Sequence, residues 1–161
     1  MARTQKITTF LWFNGNAEEA VEFYTAVFAD SRVTNVARWG EGGPAPQGSV
    51  MTIAFELEGQ QFIALNGGPQ FSFTPAISLF VSCDSQPEVD ELWTKLLAGG
   101  GKPNRCGWLD DRFGLSWQIV PSALIELMSD PDAKASGRVA QALMGMQKID
   151  IARLRQAHVA A

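Results

Sequence analysis

The chain has 161 residues, 46% of them apolar and 19% charged, with a formal net charge of -4. A chain of this length buries roughly two thirds of the surface its unfolded form exposes, enough for one ordinary core, and the composition excludes a wholly disordered protein. Lys and Arg form no basic stripe, and the longest apolar stretch near the N-terminus, Ile7 to Phe13, is short and carries two threonines. Nucleic acid, a membrane span and a secretory leader are therefore not expected, and a cytoplasmic protein is.

In chain order, Ile7 to Phe13 reads as a strand. Asn16 with Glu19 resembles a capping box, and Ala20, Val21, Tyr24, Val27 and Phe28 recur at helical spacing behind it. Ser31 to Trp39, Val50 to Glu58 and Gln61 to Asn66 are β-rich runs separated by turn residues. The pattern then repeats. Ala76 to Cys83 reads as a strand and Ser85 with Glu88 as a second capping box. Val89, Leu92, Trp93, Leu96 and Leu97 form an apolar stripe that Gly99-Gly100-Gly101 ends. Pro103 to Leu109 and Leu115 to Val120 follow as strands.

The chain, of α+β class, is read as two β-α-β-β-β modules, the second less completely marked than the first. A helix covers only one face of each sheet, so two such modules are expected to curl a mixed sheet around a cavity. Module one spans about residues 1–70 and module two about 75–121 of a single domain, 1–161. The remainder, 122–161, is a helical tail: Ser122 to Met128 forms a short helix, and Asp130-Pro131 opens a helical region with Val139, Leu143 and Met146 on one face. It is expected to pack over a sheet edge or across a subunit boundary.

Several motifs are weighed by their context. Gly40 to Ala45 matches a loose Gly-x-Gly-x-x-Ala fingerprint, but Pro44 and Pro46 and the following strand make it a surface loop, with no helix N-terminus for a phosphate. His158, the one histidine, lies close to the end of the chain and reads as a solvated terminal side chain. Cys83 and Cys106 read as reduced core residues without an activating base, and His/Cys zinc sites fail by count. Asp110 and Asp111 read as a solvated turn, their side chains on opposite sides of the strand, and Glu56 and Glu58 as the wet side of a strand. Trp12, Tyr24 and Trp93 read as core, whereas Trp108 and Phe113 are candidates for pocket walls.

The stretches "FLWFNGNAEEAVEFYTAVF" (10–28), "FIALNGGP" (62–69) and "GWLDDRFGLSWQIVP" (107–121), set in paired modules, resemble the PhnB-like branch of the vicinal oxygen chelate superfamily. This superfamily includes glyoxalase I, bleomycin-resistance proteins and extradiol dioxygenases. Some members carry the label 3-demethylubiquinone-9 3-methyltransferase. In its metal-dependent members, His or Glu from the first and last strands of each module hold a divalent cation. The resemblance puts the corresponding positions here near Thr9, Ser78, Ala64 or Asn66, and Gln118, the last in a run Asp111, Gly114, Gln118 that matches an Asp-x-x-Gly-x-x-x-Glu ending.

Neutral groups at these positions suit a divalent transition metal poorly, because such sites rely on imidazole, carboxylate or thiolate. The expectation is a metal-free, cofactor-free pocket for a small molecule in a homodimer. Thr9, Asn66, Ser78 and Gln118 would be its polar contacts, and Trp108 and Phe113 its apolar walls. The alternative is an enzyme, either a metal-dependent lyase or dioxygenase using Glu56, Asp110, Asp111 or Glu126, or a methyltransferase.

Overall fold

The computed structural model describes residues 5–160. They divide into two compact units, one ending at Phe73 and the other beginning at Thr74. The first contains β1 (Thr9–Phe13), α1 (Ala17–Val27), β2 (Ser31–Arg38), β3 (Val50–Leu57) and β4 (Gln60–Asn66). Its strands lie in the order β1-β4-β3-β2, with β1 parallel to β4 and the other pairs antiparallel.

Alternation decides which side chains meet the helix. Leu11, Phe13, Ile53, Phe55, Leu57, Phe62 and Ala64 are buried, and by register they share one face. The buried stripe of α1, with Ala20, Val21, Tyr24 and Val27, supplies the opposing layer. Tyr24, Phe55 and Phe62 form a stack with centroid separations of 6.4 and 5.4 Å. Full burial of each such ring contributes about 1.5–3 kcal/mol. Glu58 and Gly59 close the β3–β4 hairpin with φ of 48° and 80°, a two-residue turn whose twist matches the flanking strands.

The second unit repeats this plan with β5 (Ser78–Cys83), α2 (Gln86–Leu97), β6 (Lys102–Pro103), β7 (Trp108–Asp110) and β8 (Ser116–Pro121), ordered β5-β8-β7-β6. The expected single strand from Pro103 to Leu109 is broken in two. Cys106 and Gly107 take φ of 59° and 84°, a conformation that interrupts a ladder. Gly107 is held there by contact: an added Cβ would lie 2.7 Å from Ile149 Cδ1 and 2.9 Å from the Ile119 carbonyl oxygen. Ser85 caps α2 by accepting from Glu88 N, and Glu88 Oε2 accepts from Asp84 N, so the second capping box forms with its reciprocal bond shifted by one residue.

The tail forms α3 (Ser122–Met128), α4 (Ala133–Met144) and α5 (Ile151–Val159). Leu124, Leu127, Val139, Met146, Ile149 and Leu154 cluster with Val120 of β8, so the tail extends the second unit's core. Gln86 at the start of α2 ties it down, donating to the Ile149 carbonyl and accepting from Ile151 N, while Lys148 pairs with Asp90 at 2.8 Å. His158 is no frayed end. Its Nε2 lies 2.7 Å from Asp130 Oδ2, and Arg138 donates to the carbonyls of Ala157 and His158. No helix among the described residues is long and apolar enough to cross a membrane.

Candidate functional site

In the second unit, Leu109, Trp117 and Ile119 are buried on the α2 side of the sheet. Strand alternation therefore puts Ser78, Phe80, Trp108, Asp110, Ser116 and Gln118 on the opposite face. Trp108 and Gln118 are directly paired across β7 and β8, and Phe80 flanks Gln118 on β5. Gln118 Nε2 donates to Ser78 Oγ at 2.9 Å, and Ser116 Oγ donates to Asp110 Oδ1 at 2.7 Å. Three of the six expected site residues, Ser78, Trp108 and Gln118, thus come together. The Gln118 carbonyl and the Ser78 hydroxyl proton remain as a neutral acceptor and donor beside an indole.

The Asp110-Asp111 pair divides as adjacent strand residues must, but Asp111 is not solvated. It is 3% exposed and clasps the turn before β8. Its Oδ1 accepts from Phe113 N at 2.8 Å and Leu115 N at 3.1 Å, and its Oδ2 from Trp117 Nε1 at 2.9 Å. A carboxylate is the side chain that can satisfy these converging N–H groups. Phe113 lies on this turn rather than on the sheet face, with Arg112 Cζ 4.9 Å from its ring centroid. Glu56 pairs with Arg32 at 3.5 Å, and Glu58 belongs to the hairpin turn.

Thr9 and Asn66 are placed differently. Their register partners are Phe62 and Phe13, so both lie on the α1 side of the first sheet, as does Ala64. The expected equivalence of Thr9 with Ser78 does not hold, because Ser78 faces away from its helix. A one-residue shift in a strand exchanges the two faces. Asn66 Oδ1 accepts from Ala17 N at 2.9 Å, while its Nδ2 donates to Glu18 Oε1 at 2.6 Å and to the Val50 carbonyl at 3.1 Å. Asn16 makes no side-chain capping bond. Asn66 is the cap of α1, supplied from another element.

The opposite face of the first sheet carries Phe10, Trp12, Ile63 and Leu65. Trp12 is therefore not a core residue of the helix-covered layer. It lines a groove of about 560 Å³ together with Trp39, Glu18, Asn66 and Pro44. The stretch from Gly40 to Ala45 is an irregular loop of turns between β2 and β3, as its prolines predict, and supplies part of the groove wall.

Cation chemistry follows from these donors. On the faces away from the helices, the first and last strands of the two units offer Phe10, Trp12, Ile63, Leu65, Ser78 and Gln118. No group of three or more His, Cys, Asp or Glu among the described residues is placed to hold a metal ion. The residues do not fit a divalent transition metal.

The family model described as 3-demethylubiquinone-9 3-methyltransferase matches residues 5–120. The chain belongs to this family. Its PhnB-like character is carried further by the PhnB protein of Bacillus cereus, 39% identical over 73% of this chain and all of the other, with a TM-score of 0.67. A protein of Pseudomonas aeruginosa shares the fold at 22% identity and a TM-score of 0.60, over 73% of this chain and 98% of its own. So does FosX, a fosfomycin resistance protein of Listeria monocytogenes, at 13% identity and a TM-score of 0.51, over 77% and 98%. No curated protein matches the chain. The PhnB-like chain is a member of the vicinal oxygen chelate superfamily.

Proposed function

We propose that this PhnB-like chain binds a small molecule without a metal ion, as one glyoxalase/bleomycin-resistance-like domain acting in the cytoplasm as a homodimer. The observation that carries the reading is the Gln118–Ser78 hydrogen bond: two metal-equivalent positions hold neutral side chains that satisfy one another. A ligand is oriented by the Gln118 carbonyl and the Ser78 hydroxyl against the indole of Trp108. Phe10 and Phe80, 54% and 51% exposed, support burial of these faces by a ligand or a second copy.

The experiment is elemental analysis after incubation with nickel, manganese, iron and zinc and exhaustive dialysis, followed by a thermal-shift ligand screen. Absence of retained metal, with a ligand whose affinity falls about tenfold in Gln118→Ala through loss of an orienting hydrogen bond, supports the proposal. Near-stoichiometric metal overturns it in favour of lyase or oxygenase chemistry. The family's description makes methyl transfer the competing reading, and tight binding of S-adenosylmethionine would favour it.

A further inference from the structure

We infer that the groove of the first unit is a binding site for a small organic cation, an amine or quaternary ammonium. The inference uses none of Ser78, Trp108 or Gln118. The groove's volume of about 560 Å³ falls within the range of small-ligand sites, about 300–1,000 Å³.

Two of its walls are indoles, Trp12 and Trp39, and its one ionisable lining residue is Glu18. Arg38, next to Trp39 in sequence, directs Nη1 to the Gly48 carbonyl and does not line the groove. An indole face is the strongest aromatic partner for a cation, and a carboxylate on the rim adds a second attraction. Anions meet the same carboxylate with no compensating positive side chain.

The Trp12 wall is set before any ligand arrives. Trp12 Nε1 donates to the Gly68 carbonyl at 2.9 Å, and Phe71 meets the ring edge-on with centroids 4.9 Å apart. The indole lies so close to Gly67 that an added Cβ would be 2.3 Å from Trp12 Cε2. Gly67 is thus what lets the ring rest against the backbone. Asn66 Nδ2 donates to Glu18 Oε1 at 2.6 Å and so anchors the one carboxylate of the groove lining. Trp12 and Glu18 therefore need little ordering on binding, which reduces one of the costs that association must meet.

The test is a titration with choline and with 3,3-dimethyl-1-butanol, its neutral isostere, read by tryptophan fluorescence and by ligand-observed NMR. Choline is expected to bind saturably and its isostere about fivefold or more weaker, the loss appropriate to one cation–aromatic contact. Glu18→Gln and Trp39→Ala are each expected to weaken choline by a similar factor. Absence of saturable binding, equal binding of the isostere, or unchanged affinity in a folded Glu18→Gln protein overturns the inference. Should Trp39→Ala fail to fold, Glu18→Gln decides alone. Any of these outcomes leaves the reading of the second unit's face untouched.

Discussion

Asn66 Oδ1 and Ala17 N are 2.9 Å apart although the residues stand 49 positions apart in sequence, so the first turn of α1 is closed by the end of β4. The same side chain reaches Glu18 and the Val50 carbonyl, tying helix, β3 and β4 at one point. Asn66→Ala removes a helix cap and leaves a carbonyl and an N–H without partners. A loss of about 1–3 kcal/mol is expected in chemical denaturation. Asn16→Ala should cost less than about 0.5 kcal/mol, because no side-chain cap is lost there. The reverse ranking would show that the helix is capped locally.

Asp111 gathers three N–H donors while 3% exposed, two from the turn before β8 and one from Trp117 within it. Asp111→Ala should destabilise by about 3 kcal/mol or more, since buried donors are left without an acceptor. Asp111→Asn keeps one acceptor oxygen and should retain part of that stability. Thermal unfolding monitored at the Trp117 environment distinguishes the two. Equal stability of wild type and Asp111→Ala would show that the turn is held by its backbone alone.

Hydrogen bonds to Lys148 and then Gln86 hold the Asp90 carboxyl below its usual 3.8. The Asp132 backbone N–H, followed by His158, does the same for Asp130. A carboxyl lowered in the folded state contributes stability above its unfolded value, and that contribution disappears as pH falls through the folded value. The Lys148 attachment of the tail should therefore be insensitive to pH near neutrality and weaken below about pH 4, the unfolded carboxylate range. Amide exchange at Ile151 and Leu154 reports this, and Asp90→Asn should flatten the dependence for the Lys148 attachment.

Burial, reinforced by Glu88 and Asp84, pushes the Cys83 thiol up to about 12. Only the thiolate reacts rapidly, so Cys83 should resist thiol reagents at about pH 8. Cys106 is partly exposed and free. One thiol is expected to titrate in the native protein and two in denaturant. Two in the native state would mean that the core around Cys83 opens readily.

Hydrophobic periodicity made the doubled β-α-β-β-β plan legible, because burying one helix stripe and one sheet face leaves a local pattern of period 3.6 or 2. It marked Val89, Leu92, Trp93 and Leu96 on α2, all of which are buried, and the tail face of Val139 and Met146. Gln118 was singled out by the family resemblance, and its neighbours Trp117 and Ile119 are the buried residues of that strand.

Other features had no local signal. Trp12 looks like core in any apolar strand, and only the pairing with Leu65 and the contact with Gly67 shows that it faces away from α1. Thr9 and Asn66 take their expected places from the family resemblance, and residue types along a strand do not reveal a shift of one position. His158 lies near the chain end, where fraying is the ordinary expectation, and its partner Asp130 comes from a separate turn.

By itself, then, the sequence determined the helices, most of the strands and the order in which they follow, since these depend on residue types and on spacing along one strand or helix. Tertiary structure alone decided that Asn66 caps α1, that Asp111 clasps a turn, and that two tryptophans border one groove. Each joins groups from different elements, and their meeting is set by strand register and packing.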